Sequence, residues 1–121
     1  MSVELRMRDN IVRQKSFDFA LAVIRLYKQL QAKHEFVVSR QLLRSGTSIG
    51  ANVEEANAGQ SRRDFLAKMS VASKEARETK YWLRLLQESD LVNLDVSREV
   101  RQVEELIRIL TSIVKTTGQK S

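Results

Sequence analysis

The sequence predicts an all-α protein: an up-down-up-down antiparallel four-helix bundle in one domain spanning residues 1–121. Three observations point there. Proline is absent and glycine appears only four times in 121 residues, which leaves long helices uninterrupted. Apolar residues recur at spacings of four and three rather than in alternation, the period of a helix face. Four such stretches are joined by short connections, so sequence neighbours can pack antiparallel around the single core that this length supports.

The first helix is expected from about residue 10 to 33, with Asp9 or Asn10 as N-cap. Its apolar residues Phe17, Phe19, Ala20, Leu21, Val23, Ile24, Leu26, Tyr27 and Leu30 cover roughly 220° of the helical projection, wide enough to meet two neighbours. The second helix, about 39–57, takes Ser39 as cap and buries Leu42, Gly46, Ile49, Val53 and Ala56. Its middle is small: Ser45, Gly46, Ser48, Gly50 and Ala51. Glycine costs about 1 kcal/mol inside a helix, and close approach of another helix is the natural compensation. Gly59 ends this helix, and Ser61, three residues before Asp64, opens the third in a capping-box-like arrangement. Phe65, Met69, Ala72, Ala76, Thr79, Leu83 and Leu86 then keep an unbroken rhythm to about residue 89. Asp95 caps the fourth helix, about 95–116, which repeats the rhythm in Val96, Val100, Val103, Ile107, Leu110 and Val114.

The outer helices carry a second apolar seam each: Phe19, Val23, Leu26 and Leu30 in the first, Leu106, Ile109 and Ile113 in the fourth. These fold into one oversized core or form a surface for self-association. The second reading is favoured, which makes the chain a subunit of a homo-oligomer.

Composition narrows the function. With no cysteine, disulfides, thiolate zinc sites and thiol nucleophiles are excluded. Residues 1–10 carry charges and no apolar signal-peptide core, and no uncharged apolar stretch approaches the roughly 18 residues of a membrane span. A cytoplasmic location without membrane contact is expected. The formal charge is +6, with nine Lys/Arg against four Asp/Glu in residues 1–50 and twelve against eleven thereafter. A basic excess of this kind raises the expectation of a polyanion partner, RNA or DNA.

The segments "NIVRQKSF" (10–17), "SRQLLRSGTSIGANVEEANAGQSRRDF" (39–65) and "KEARETKYWLRLL" (74–86) together resemble the four helix bundle protein family, also called the 23S ribosomal RNA intervening-sequence protein family. The resemblance runs from Asn10 to at least Leu86, and the Arg44-to-Asn52 core is its most specific part. It implies a helical bundle assembled as a homopentameric ring. Through relatives such as the accessory variability determinant of diversity-generating retroelements, it also implies RNA and a reverse transcriptase as partners. Gly50 stands where many members have proline, and Ala58-Gly59 replaces a compact glycine-arginine turn, which places the chain in a variant branch.

Arg40 and Arg44 could grip phosphates beside Ser48, Asn52 and Glu55 on the second helix; the structural reading, in which the Ser48, Asn52 and Glu55 stripe sets helix register, takes precedence. Arg62 and Arg63 lie in the first turn of the third helix, where free backbone amides add to their charge; an anion site and ordinary solvated charge stand level. Lys74, Arg77, Lys80 and Arg84 interleave with Glu75, Glu78 and Glu88 as salt-bridged surface. Arg101, Arg108 and Lys115 recur every seven residues, but Glu104 and Glu105 lie between them, so a balanced, solvated face is expected. Tyr81 and Trp82 offer a stacking platform for bases, although packing residues are the commoner outcome.

His34 has no second histidine or cysteine to complete a metal site, and no Glu-x-x-His, P-loop or nucleophile motif occurs. No catalytic residue, cofactor or metal is expected. The sequence therefore points to a non-enzymatic homo-oligomeric binding protein offering Arg40, Arg44, Arg62 and Arg63 to a nucleic acid or a nucleoprotein. The alternative is a protein-protein scaffold whose charge serves solubility.

Overall fold

The structure, a computed structural model, describes residues 3–119; the first two and last two residues of the expected domain lie outside it. It consists of α1 (Val3–Ala32), α2 (Val38–Ala58), α3 (Arg62–Ser89) and α4 (Ser97–Gly118), with no strand among the described residues. Each helix packs on its sequence neighbour, and α1 packs on α4; the diagonal pairs do not meet. Ion pairs lace every adjacent pair in antiparallel register: Arg13–Glu54 at 3.3 Å, Lys68–Glu55 at 3.1 Å, Lys80–Glu104 at 3.2 Å and Lys15–Glu105 at 3.1 Å. All four pairs are partly exposed, so they fix register more than they stabilise.

The third helix reads as expected, with its whole seam from Phe65 to Leu86 buried. The small middle of α2 also does what its composition requires. Gly46 lies against Val23 of α1, and a Cβ there would come within 2.8 Å of a valine methyl. On the α3 side, Ser45 and Thr79 are fully buried and their hydroxyl oxygens sit 2.9 Å apart. Ser45 donates to the Gln41 carbonyl, so the small polar contact leaves its hydroxyl satisfied.

Three expectations need correction. The first helix starts at Val3, not near residue 10. Asp9 is therefore no cap but a helix-interior residue turned toward α2, 3% exposed, where it accepts a hydrogen bond from Asn57 Nδ2 at 3.0 Å. At the other end α1 closes in a Schellman turn. Glu35 N–H donates to the Leu30 carbonyl at 2.9 Å and His34 N–H to that of Gln31, with His34 left-handed at φ 62°.

Ser39 does not cap α2. That helix is capped by the Glu35 carboxylate, which accepts from the backbone N–H of Val37, Val38 and Ser39 at 3.1, 3.1 and 2.7 Å. Ser39 instead donates its hydroxyl to the Glu35 carbonyl. At α4, which starts at Ser97, the N-cap position is Val96 and not Asp95; the Asp95 carboxylate, one residue earlier, accepts from Ser97 N–H at 3.0 Å. That bond, with a smaller contribution from the Arg101 charge, holds its carboxyl below the usual range.

The third correction concerns the second seam. Phe19, Val23, Leu26, Leu30, Leu106 and Ile113 are all buried in the core of the single chain, and Ile109 packs half-buried against it. They form the inward faces of α1 and α4, with Ile109 at the edge. Exposed apolar residues remain on the outer side of α1, at Val3, Met7, Ile11, Phe17, Leu21 and Ile24, with others at the α1–α2 turn (Phe36, Val37), on α3 (Val71, Tyr81, Leu85) and just after it (Leu91).

Candidate nucleic-acid interface

The four arginines singled out by sequence do not form one patch. Arg40 stands in the first turn of α2 and Arg63 in the first turn of α3. The 18 residues of α2 after Arg40 put them at opposite ends of the bundle, about 27 Å apart along its axis. Arg44 is spent on α3: its guanidinium donates to the Glu75 carboxylate at 3.4 Å and to that of Glu78. Arg62 donates to the Thr117 carbonyl in the last turn of α4, satisfying a helix-end acceptor.

The polar stripe of α2 is likewise internally satisfied. Asn52 Nδ2 donates to the Ser48 carbonyl at 2.8 Å, Ser48 Oγ to the Ser45 carbonyl at 3.1 Å, and Glu55 pairs with Lys68. No group of three His, Cys, Asp or Glu that could hold a metal ion occurs among the described residues. The described helices include none long and apolar enough to cross a membrane.

A coherent basic surface lies elsewhere, along α3 and α4. Arg101, Arg108 and Lys115 share the outer line of α4, exposed and without a hydrogen bond or ion pair, at intervals of about 10.5 Å. The two acids expected to balance them do not. Glu104 turns to Lys80 of α3, and Glu105 turns to Lys15 of α1. Each glutamate cancels a lateral lysine, and the row of cations between them is left opposed at its Arg101 end by the Asp95 carboxylate.

On the neighbouring flank of α3, Arg77 and Arg84 are also exposed and also seven residues apart. The Lys80–Glu104 pair and the bond from Arg77 to Thr111 Oγ1 at 3.3 Å fix the register of α3 on α4. Stepping along both helices from these links sets Arg84 about level with Arg101, and Arg77 about level with Arg108. The result is a two-rung ladder of arginines, tempered at one corner by the Arg84–Glu88 pair at 3.0 Å and extended down α4 by Lys115.

Contrast the α2–α3 side, where Arg44 and Lys68 meet Glu55, Glu75 and Glu78 and no such excess survives. Sequence reasoning noticed the heptad row of α4 and read it as balanced, and it read the α3 cations as salt-bridged surface. The lateral swing of Glu104 and Glu105 was invisible without the partner helices.

The profile of the 23S rRNA-intervening sequence protein family matches residues 8–112. The chain belongs to that family. Its fold is similar to the crystal structure of a protein of unknown function from the S23 ribosomal protein family of Bacteroides thetaiotaomicron VPI-5482. The two share 45% sequence identity and a TM-score of 0.84, over 89% of this chain and 98% of the other. No curated protein matches. The match agrees with the resemblance carried by residues 10–17, 39–65 and 74–86, and it brings no assigned activity with it.

Proposed function

We propose that this family member is a non-enzymatic binding subunit that assembles with copies of itself and holds a nucleic acid along its α3–α4 face. The observation that supports this best is the sideways pairing of Glu104 and Glu105, which leaves Arg101, Arg108 and Lys115 aligned beside Arg77, with Asp95 opposing the row at its Arg101 end. A row of free guanidinium and ammonium groups suits phosphates and gains its free energy by releasing their counterions. A pentameric ring, and RNA handled together with a reverse transcriptase, are the stoichiometry and context that the family resemblance implies.

The test is the salt dependence of binding to a labelled oligonucleotide. Arg101→Gln/Arg108→Gln/Lys115→Gln should weaken binding and flatten the slope of log affinity against log salt by about 2, at roughly 0.7 per lost contact to a single strand. Arg40→Gln/Arg63→Gln removes two exposed cations from other surfaces and should change far less. Absence of binding even at low salt, or equal loss in the two variants, would overturn the assignment to this face.

A further inference from the structure

We propose that Tyr81 is a stacking platform for an unpaired base, so that the partner of the α3–α4 face is a single strand rather than a duplex; this rests on reading that face as a polyanion surface. Tyr81 projects from the outermost line of α3 and is 56% exposed. It is nonetheless braced. Its ring meets Trp82 edge to face, with centroids 5.1 Å apart and planes at 70°. Trp82 packs against the core and donates Nε1–H to Glu78 at 2.9 Å, and Glu78 is itself held by Arg44. The ring is thus fixed from one side and open on the other, and a ring already ordered loses little freedom when a base settles on it.

Its surroundings match a nucleotide. Arg77 stands four residues before it and Arg84 three after, about 6 Å and about 4.5 Å along the helix axis on either side. These cations are placed for the phosphates that flank a stacked base, and Lys74 continues the line. Bases in a duplex already stack on one another. A ring on a convex helix ridge can therefore engage only a base that is unpaired.

The test compares fluorescence anisotropy of labelled single-stranded RNA, single-stranded DNA and a duplex of the same sequence, titrated with the full chain. Tyr81→Ala and Tyr81→Leu should each weaken single-strand binding by about fivefold or more, Tyr81→Phe should not, and none should change the salt slope. Duplex binding should be weaker and indifferent to all three. The RNA and DNA arms show which strand is preferred. If oligonucleotide binding falls in Arg101→Gln/Arg108→Gln but not in Tyr81→Ala and Tyr81→Leu, the stacking proposal fails while the basic face stands. If no oligonucleotide binds, the basic face itself fails. Duplex binding as tight as single-strand binding and equally sensitive to Tyr81 also overturns the proposal.

Discussion

Gly46 and Gly50 stand about one turn apart on α2 and call for opposite outcomes on substitution. A Cβ on Gly46 would lie 2.8 and 2.9 Å from the two methyls of Val23. Val23 is fully buried, and its branched side chain has little rotameric freedom to yield. Gly46→Ala should therefore cost about 2 kcal/mol, overpacking outweighing the helix propensity gained. A Cβ on Gly50 meets Ser16 at ordinary van der Waals distances, its carbonyl oxygen at 3.4 Å and its Oγ at 3.5 Å, so Gly50→Ala should stabilise by about 0.5–1 kcal/mol. Urea unfolding of both variants decides the matter, and a Gly46→Ala protein as stable as wild type would show that the helices separate freely. Asp9 gives a second prediction at this scale. Burial raises its pKa from the usual 3.8, against the lowering effects of the Asn57 hydrogen bond and Arg13. The native state therefore holds its proton to higher pH than the unfolded chain, and stability falls as pH rises from 3.8 through the raised value. Asp9→Asn keeps an acceptor for Asn57 without the charge. It should raise the melting temperature near pH 7 and give no such gain near pH 3; the same shift at both pH values would sink the idea.

Between elements, the start of α2 shows what a sequence reveals and what it conceals. Ser39 is a good capping residue type, yet the cap is Glu35, because the Schellman turn at His34 carries the chain back over the new helix and aims the carboxylate at three free N–H groups. Glu35→Ala should cost about 2 kcal/mol of unfolding free energy, the upper range for a lost cap. Glu35→Gln should recover part of it, and a neutral alanine variant would refute the cap. The interior rhythm was legible because burial repeats with the helix: Phe65 through Leu86 in α3 and Val103 and Leu110 in α4 are all inside. Starts and charges were not, because they depend on neighbours. Asp9 looks like a cap until α2 is there to bury it. Glu104 lies three residues after Arg101 and four before Arg108, a spacing that permits either pair, and periodicity within α4 cannot choose between them and Lys80 across the groove. The arginine ladder was thus present in the sequence as two heptad rows, but its net charge was not.

For the whole molecule, the count of apolar positions was sound while their assignment was reversed. The seams through Phe19 and Leu106 fill the core, and the surplus emerges on the opposite side of α1, where Phe17 is 60% exposed and Leu21 and Ile24 are 38% exposed. Beside them a shallow groove of ≈ 160 Å³ runs between α1 and α2, floored by Ser16, Ala20, Gly50 and Ala51. This side lies diagonally across the bundle from the outer line of α3, since α1 and α3 do not touch. Proposed assembly through α1 therefore leaves the α3–α4 face of every subunit open. Phe17→Glu/Leu21→Glu should reduce the mass seen by light scattering to that of one chain. It should leave the helical circular dichroism intact, because neither side chain belongs to the core. Linked faces also bind long strands with avidity that short strands cannot use. The same variant should lose affinity for an oligonucleotide long enough to span several subunits and keep it for one that covers a single face. Equal loss on both lengths would mean that the α1 residues contact the strand themselves, and a wild-type monomer at micromolar concentration would remove assembly altogether.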